Sequence, residues 1–112
     1  MYTLIKGELV ERNKWCLRFL FQAPPDSSMF IDKVLFSGPQ LDQMIVELWL
    51  CDRRICVAPE HMFAKEGWNI RVPEHFDGFI SYIGQPIEDK REQLLDEMRC
   101  FLYWSVGPKV FN

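Results

Sequence analysis

The chain has 112 residues, of which 48% are hydrophobic and 26% charged, and these values are typical of one globular domain. No window approaches the roughly 18 uninterrupted apolar residues of a transmembrane helix, and near-average Gly and Pro contents exclude collagen-like and low-complexity chains. We therefore expect residues 1–112 to form a single domain with one hydrophobic core, with no cofactor and no membrane contact. A chain of this length buries enough surface on folding to need no metal or disulfide for its stability.

The formal net charge is −3, and the excess of acidic residues lies in the second half of the chain. A domain that binds duplex nucleic acid needs a basic face that displaces counterions from phosphates. No basic cluster here is larger than Arg53-Arg54 or Lys90-Arg91. The charge pattern therefore argues against a direct nucleic-acid partner and favours a basic protein as partner.

The cysteines are predicted to be buried thiols in a reducing compartment. Residues 1–8 lack the basic start, the apolar stretch and the cleavage site of a secretory signal, which predicts a cytoplasmic protein. Each cysteine lies among apolar neighbours, as Cys56 does between Ile55 and Val57, and this favours burial over reactivity. The four are Cys16, Cys51, Cys56 and Cys100.

The first elements in chain order are predicted to be the two arms of a β-hairpin. Residues 2–10 and 14–22 are rich in β-branched and aromatic types and flank the polar residues 11–13. Alternate residues of the second arm are all large and apolar, so one face of this strand belongs to the core. They are Trp15, Leu17, Phe19 and Phe21.

A loop and a third strand are expected next. Pro24 and Pro25 remove two backbone donors and restrict the residues before them, so residues 23–28 are predicted to form an exposed loop. The alternation that follows predicts a strand at about 29–36.

Residues 39–51 allow two interpretations. Pro39 suits the first turn of a helix, and the apolar residues after it recur at helical spacing, which favours a helix over this range. Those residues are Leu41, Met44, Ile45, Leu48 and Trp49. The alternative is a strand at about 44–50 that turns at 51–54 into a second strand at 55–57.

The second half is predicted to contain short strands at about 54–58 and 68–72, a longer strand at about 76–83 and a closing helix. A stripe of apolar residues over 87–105 and the acidic residues of its first turn predict that helix.

These elements together predict an α+β fold, in which two helices pack on one face of an antiparallel sheet of about five to six strands. Regular βα alternation and a glycine-rich phosphate loop are both missing, which argues against a nucleotide-binding sheet.

Metal binding is not expected. Both histidines lie in similar phrases, Pro59-Glu60-His61 and Pro73-Glu74-His75. A zinc site would have to combine His61 and His75 with Cys51 and Cys56. The two cysteines are spaced within the loosest range of a zinc loop, but the two histidines lack the usual close spacing of a ligand pair.

An enzyme is the alternative interpretation, with His75 or His61 as the base. Glu74 or Asp77 would orient His75, and Cys51, Cys56 or Ser81 would be the nucleophile. No Gly-x-Ser-x-Gly motif is present, and the flanking carboxylates are equally well explained as a solvated turn. No catalytic residue is therefore assigned.

A protein-binding surface is the leading hypothesis for the aromatic and acidic residues of the second half. Trp68 lies between Gly67 and Asn69 and, with Tyr82 and Tyr103, is the best candidate for an exposed contact residue. Carboxylates near it in sequence would steer a cationic partner. The candidate contact residues are Glu60, Glu66, Trp68, Glu74, Asp77 and Tyr82.

The predicted function is therefore that of a non-enzymatic inhibitor of the immunity or antitoxin type, which masks a basic toxin or nuclease. This hypothesis rests on analogy of class, from the small size, the acidic second half, the many aromatic residues and the absence of a catalytic motif. Besides the small enzyme, the alternatives are a structural subunit, a phage-encoded inhibitor and an export chaperone.

Overall fold

A computed structural model describes residues 1–10, 15–38, 44–84 and 91–107, and within these ranges the chain forms nine strands and two short helices. The strands are β1 (Tyr2–Lys6), β2 (Glu8–Val10), β3 (Trp15–Gln22), β4 (Met29–Ser37), β5 (Ile45–Leu50), β6 (Arg53–Pro59), β7 (Ile70–Val72), β8 (Asp77–Gly84) and β9 (Arg99–Val106). The helices are α1 (Glu60–Phe63) and α2 (Arg91–Glu97).

The strands form two antiparallel sheets. The four-stranded sheet has the order β1-β9-β4-β7, and the five-stranded sheet has the order β2-β3-β8-β5-β6. β1 pairs with β9, and β2 pairs with β3, so one early segment of chain supplies an edge strand to each sheet.

The chain crosses between the sheets at Gly7. A Cβ atom at this position would lie 3.0 Å from two ring carbons of Phe19, tighter than ordinary van der Waals contact. Glycine therefore lets the backbone pass close to the ring as the chain leaves β1 and enters β2.

The two sheets pack face to face around one core. The ring of Phe36 on β4 lies 5.5 Å from the ring of Phe19 on β3 and 4.6 Å from the ring of Tyr82 on β8. Each fully buried large apolar side chain contributes about 1.5–3 kcal/mol relative to an exposed one. The fully buried strand residues include Leu17, Phe19, Ile31, Val34, Leu48, Ile80 and Leu102.

The predicted α+β fold is wrong, because the protein is mostly β and neither short helix forms a layer on a sheet. The helix predicted over 39–51 is also wrong: residues 45–50 are β5, and the alternative interpretation of a strand, a turn and a second strand is confirmed. Residues 39–43 lie outside the described residues. Val46 and Leu48 of β5 point into the core while Ile45 and Trp49 lie on its other face, and apolar residues on both faces imitate helical spacing.

The helix predicted over 87–105 is wrong for the same reason at residues 98–105. Only α2 at 91–97 is helical, β9 follows directly, and residues 85–90 lie outside the described residues. In β9, Cys100 and Leu102 are buried while Phe101 and Tyr103 lie on the opposite face. Apolar residues on both faces again resemble one helical stripe.

Other predicted elements are confirmed. β4 and β8 match the strands predicted at 29–36 and 76–83. Residues 23–28 contain no helix or strand, as predicted, but the loop is not exposed throughout, because Ala23, Ser27 and Ser28 are buried. The predicted hairpin is half right: β2 pairs with β3, but β1 pairs with β9 in the other sheet, and residues 11–14 lie outside the described residues. None of the helices in the described ranges is long and apolar enough to cross a membrane.

Candidate functional site

The predicted contact residue Tyr82 lies in the core, with only 1% of its surface exposed. Its hydroxyl donates a hydrogen bond to Oε2 of Glu60 at 2.8 Å. Burial raises the pKa of Tyr82 well above its usual range, and the bond to Glu60 and the charge of that carboxylate raise it further. Tyr82 therefore supports α1 from inside the sandwich and offers no exposed ring to a partner.

Trp68 lies in the loop that follows α1 and packs against that helix. Its indole stacks on Phe63 with ring centroids 4.8 Å apart and an interplanar angle of 10°, and its Nε1 donates to the carbonyl of Met62 at 2.9 Å. Its backbone N–H donates to the carbonyl of Asp32 on β4 at 3.0 Å. The indole thus fastens this loop to the sandwich and is partly buried.

Of the remaining predicted residues, Glu60 contacts Tyr82 and Glu66 lies in the same loop as Trp68, whereas Glu74 and Asp77 lie in a different turn. Glu66 is exposed and forms an ion pair with Lys33 at 3.3 Å. Glu74 and Asp77 are exposed at the turn between β7 and β8, where Asp77 pairs in register with Gln22. Asp77 and Tyr82 lie on opposite faces of β8, because five residues separate them in a strand.

The residues considered for metal binding and catalysis are likewise dispersed. His61 and His75 are exposed, and the backbone of His75 has a φ of 66° in the turn before β8. Ser81 is only 2% exposed, so it is not accessible to a substrate. Within the described ranges, no group of three His, Cys, Asp or Glu residues could hold a metal ion.

The cysteines are not all buried as predicted. Cys16 and Cys100 are buried and Cys56 is partly buried, but Cys51 is exposed in the turn between β5 and β6 with a φ of 53°. Cys51, Cys56 and Cys100 are free thiols. Burial raises the pKa of Cys100 and of Cys56, which lowers their reactivity at neutral pH.

The outer face of the four-stranded sheet carries a different surface, which we call the cationic face. Strand register places nine of its residues in three rows across β1, β9 and β4, and none of the nine is acidic. The rows are Lys6, Arg99 and Ser37; Leu4, Phe101 and Leu35; and Tyr2, Tyr103 and Lys33.

The aromatic rings of the cationic face contact one another. The ring of Tyr2 lies 5.5 Å from the ring of Tyr103 and 5.7 Å from the ring of Phe101. The Nζ atom of Lys33 lies 4.6 Å from the centroid of the Tyr103 ring, within the range of a cation–π interaction. Tyr2 is 59% exposed and Leu4 is 55% exposed, so large apolar side chains face solvent here.

The outer face of the five-stranded sheet carries charges of both signs, and we call it the mixed-charge face. One row across the sheet has Glu8, Arg18, Ser81, Glu47 and Val57, and the next has Leu20, Phe79, Trp49 and Arg54.

The side chains of the mixed-charge face form a connected set. Trp49 stacks on Phe79 with centroids 5.5 Å apart, and the guanidinium of Arg18 lies 4.6 Å from the centroid of the same Phe79 ring. Glu47 accepts a hydrogen bond from Trp49 Nε1 at 3.1 Å and another from Arg54 Nη1 at 3.0 Å.

Sequence reasoning identified one residue of the cationic face, Tyr103, and missed the rest. The face is built by pairing of β1 with β9, which are far apart in the chain, and β9 was predicted to be helical. Enrichment in β-branched and aromatic residues at 2–6 and 99–106 was the available signal for these strands, but it does not reveal which strands pair. Comparison of the chain with models of protein families, with curated proteins and with solved structures found no match in any of the three.

Proposed function

We propose that this protein is a non-enzymatic binding protein that contacts an acidic partner protein through the cationic face. The observation that carries the proposal is the exposure of Tyr2 and Leu4 on the edge strand β1 of a sheet face that also carries Lys6, Arg99 and Lys33. Adjacent exposed apolar residues rimmed by polar groups are typical of protein interaction sites.

The arrangement suits binding to an acidic, partly apolar surface. Leu4, Phe101 and Leu35 form an apolar row whose burial would supply binding energy, and Lys6 and Arg99 beside it would attract carboxylates and exclude basic competitors. Lys33, on the other side of the row, is already paired with Glu66. The rings already pack against one another on paired strands, so little conformational entropy is lost on binding.

The narrower function predicted from the sequence, masking of a basic toxin or nuclease, stays a prediction and has less support. It requires an acidic surface with exposed aromatic anchors, whereas Trp68 and Tyr82 are packed and Glu66 is neutralised by Lys33. Glu74 and Asp77 are the exposed acidic residues that this function would still use. Cytoplasmic location also stays a proposal, supported by the exposed free thiol of Cys51, which a reducing compartment would preserve.

Site-specific photo-crosslinking in the native host tests the proposal. A photoreactive amino acid replaces Leu4 on the cationic face in one variant and Phe76, beside Glu74 and Asp77, in a matched variant. The two positions have similar exposure, 55% and 41%. We expect a discrete adduct with an acidic protein from position 4 and none from position 76.

The comparison of the two variants decides between the surfaces. An adduct with a basic protein that forms at position 76 and not at position 4 would favour the acidic surface and reject our assignment. A lack of any discrete adduct at either position would count against a binding function.

A further inference from the structure

We propose that two copies of this chain form a symmetric dimer through their mixed-charge faces. The proposal does not depend on the cationic face, which lies on the opposite side of the sandwich. It rests on the charge pattern and on the apolar surface of the five-stranded sheet.

The charge pattern of the mixed-charge face is complementary to itself. Arg18 on β3 and Glu47 on β5 both pair in register with Ser81 on the central strand β8. Consider a two-fold axis that runs parallel to β8, between two stacked five-stranded sheets. It places β3 of one copy over β5 of the other and leaves each residue in the same row. It therefore places Arg18 of each copy opposite Glu47 of the other copy, and two ion pairs form.

The guanidinium of Arg18 is held over the ring of Phe79, 4.6 Å from its centroid. Its buried Nε atom has no hydrogen-bond partner among the described residues and lies out of reach of a second copy. The contact with a second copy would therefore use the charge and the Nη donors of Arg18. Glu47 already accepts from Trp49 and Arg54, but a carboxylate has about four acceptor positions, so it retains capacity for a second copy's Arg18.

The neighbouring row would bury apolar surface in the same arrangement. The same axis places Phe79 opposite Phe79 of the other copy and Leu20 opposite Trp49. Leu20 is 51% exposed in the single chain, and its burial in the dimer would add hydrophobic stabilisation.

The available area is sufficient for a specific dimer. Five strands about 4.8 Å apart and about six residues long give a face of roughly 24 by 20 Å, and two such faces bury on the order of 1,000 Å², near the lower limit for specific interfaces. The cationic face is less suited to a second copy, because an equivalent axis parallel to β9 would place Arg99 opposite Arg99 and would give Lys6 no acidic residue to face.

Sedimentation of the purified chain over a range of micromolar concentrations tests the proposal. We expect a species of twice the 13.3 kDa monomer mass for the wild type. Arg18→Glu and Glu47→Arg should each weaken the dimer by about tenfold or more, because each replaces two attractive pairs by two repulsive ones. An equimolar mixture of the two variants should recover a heterodimer. In it the two introduced side chains, which have opposite charges, would face each other, and the native Arg18 of one chain would face the native Glu47 of the other.

A matched pair of variants controls for folding. Leu20→Glu on the mixed-charge face should abolish the dimer, and Leu4→Glu on the cationic face, at similar exposure, should leave it intact. Circular dichroism and thermal unfolding establish that each variant is folded. Should Glu47→Arg fail to fold, the Leu20→Glu and Leu4→Glu variants still test the proposed interface. The proposal is overturned if the wild type is a monomer throughout, if the dimer persists in Arg18→Glu, if two folded charge variants fail to associate, or if Leu4→Glu is the variant that dissociates it.

Discussion

The two outer faces of this sandwich hold similar apolar side chains but differ in charge. Leu4 on the cationic face and Leu20 on the mixed-charge face are both about half exposed, and each lies beside an aromatic residue in register, Phe101 and Phe79. The nine-residue grid that contains Leu4 has three basic residues and no acidic residue, whereas the face that contains Leu20 carries both Arg18 and Glu47. Hydrophobicity therefore makes both faces suitable for contact, and charge determines which partner each accepts.

The difference also shows how one small domain could serve two contacts at once. A face with one sign of charge repels its own copy and attracts a surface of the opposite sign, while a face with balanced charges can pair with itself. The inner faces of the same strands form the core, so neither contact would require the sandwich to open.

The largest expected effect is the difference in stability cost between truncating an inner and an outer residue of the four-stranded sheet. Leu102→Ala should reduce the free energy of unfolding by about 3 kcal/mol, because Leu102 is fully buried and its truncation leaves a cavity. Leu4→Ala should change it by no more than about 0.5 kcal/mol, as for other exposed positions. Urea unfolding at a single protein concentration measures both. A cost for Leu4→Ala near that of Leu102→Ala would mean that the cationic face is covered and unavailable to a partner.

The next largest effect is the difference in stability cost between truncating an aromatic residue of the mixed-charge face and one of the cationic face. Trp49→Ala should cost about 2 kcal/mol, because it removes the stack on Phe79 and the hydrogen bond to Glu47. Tyr2→Ala should cost about 1 kcal/mol, since Tyr2 is mostly exposed and contacts its neighbours at tilted angles. Thermal and urea unfolding of both variants test this order. A reversed order would show that the cationic face is the more tightly integrated of the two.

The sequence predicted the individual strands better than their arrangement. Alternation identified β4 and β8, because their inner residues are apolar and several of their outer residues are polar or small. It failed for β5 and β9, whose outer residues Ile45, Trp49, Phe101 and Tyr103 are also apolar. The feature that concealed these strands is the same one that makes the outer faces candidate interfaces.

The candidate site was less predictable than the fold. A sequence places Glu66 near Trp68, but it does not show that Lys33 from β4 neutralises that carboxylate or that Phe63 covers the indole. Tyr2 and Tyr103 meet only because β1 and β9 are adjacent, and this pairing depends on the topology of the whole sandwich. Local patterns therefore indicated contact residues of the right type at the wrong place.

A pH titration probes the interior behind the mixed-charge face. Burial holds the pKa of Tyr82 above its ordinary value of 10.0, so the folded state keeps the phenol proton where the unfolded state has lost it. The free energy of unfolding is therefore unaffected by this group below pH 10, and above pH 10 it should fall by up to about 1.4 kcal/mol per pH unit. Tyr82→Phe removes this titrating group, so the free energy of unfolding of the variant should fall less steeply above pH 10. Burial also raises the pKa of Cys100, and subtraction of the two curves leaves the contribution of Tyr82 alone. Equal slopes in the two proteins would contradict the assignment.

The smallest expected effect compares the ion pairs of the two sides. Glu47 and Arg54 meet at 3.0 Å with the Glu47 side chain 14% exposed, whereas Lys33 and Glu66 meet at 3.3 Å with the Glu66 side chain 77% exposed. Water and salt screen the second pair more strongly, so alanine double-mutant cycles should give a coupling of about 1 kcal/mol for the first pair and about 0.3 kcal/mol for the second.

Repeating both cycles in concentrated salt sharpens the distinction between the faces. The Lys33–Glu66 coupling should disappear, while part of the Glu47–Arg54 coupling should remain, because Trp49 Nε1 also holds the Glu47 carboxylate in place. Loss of both couplings would indicate that Glu47 is as mobile as an ordinary surface residue. A mobile carboxylate would present no fixed charge to a second copy, so this result would also weaken the case for the dimer. A salt-resistant coupling would instead show that the Glu47 carboxylate, the acceptor for Arg18 of a second copy, is already held in position.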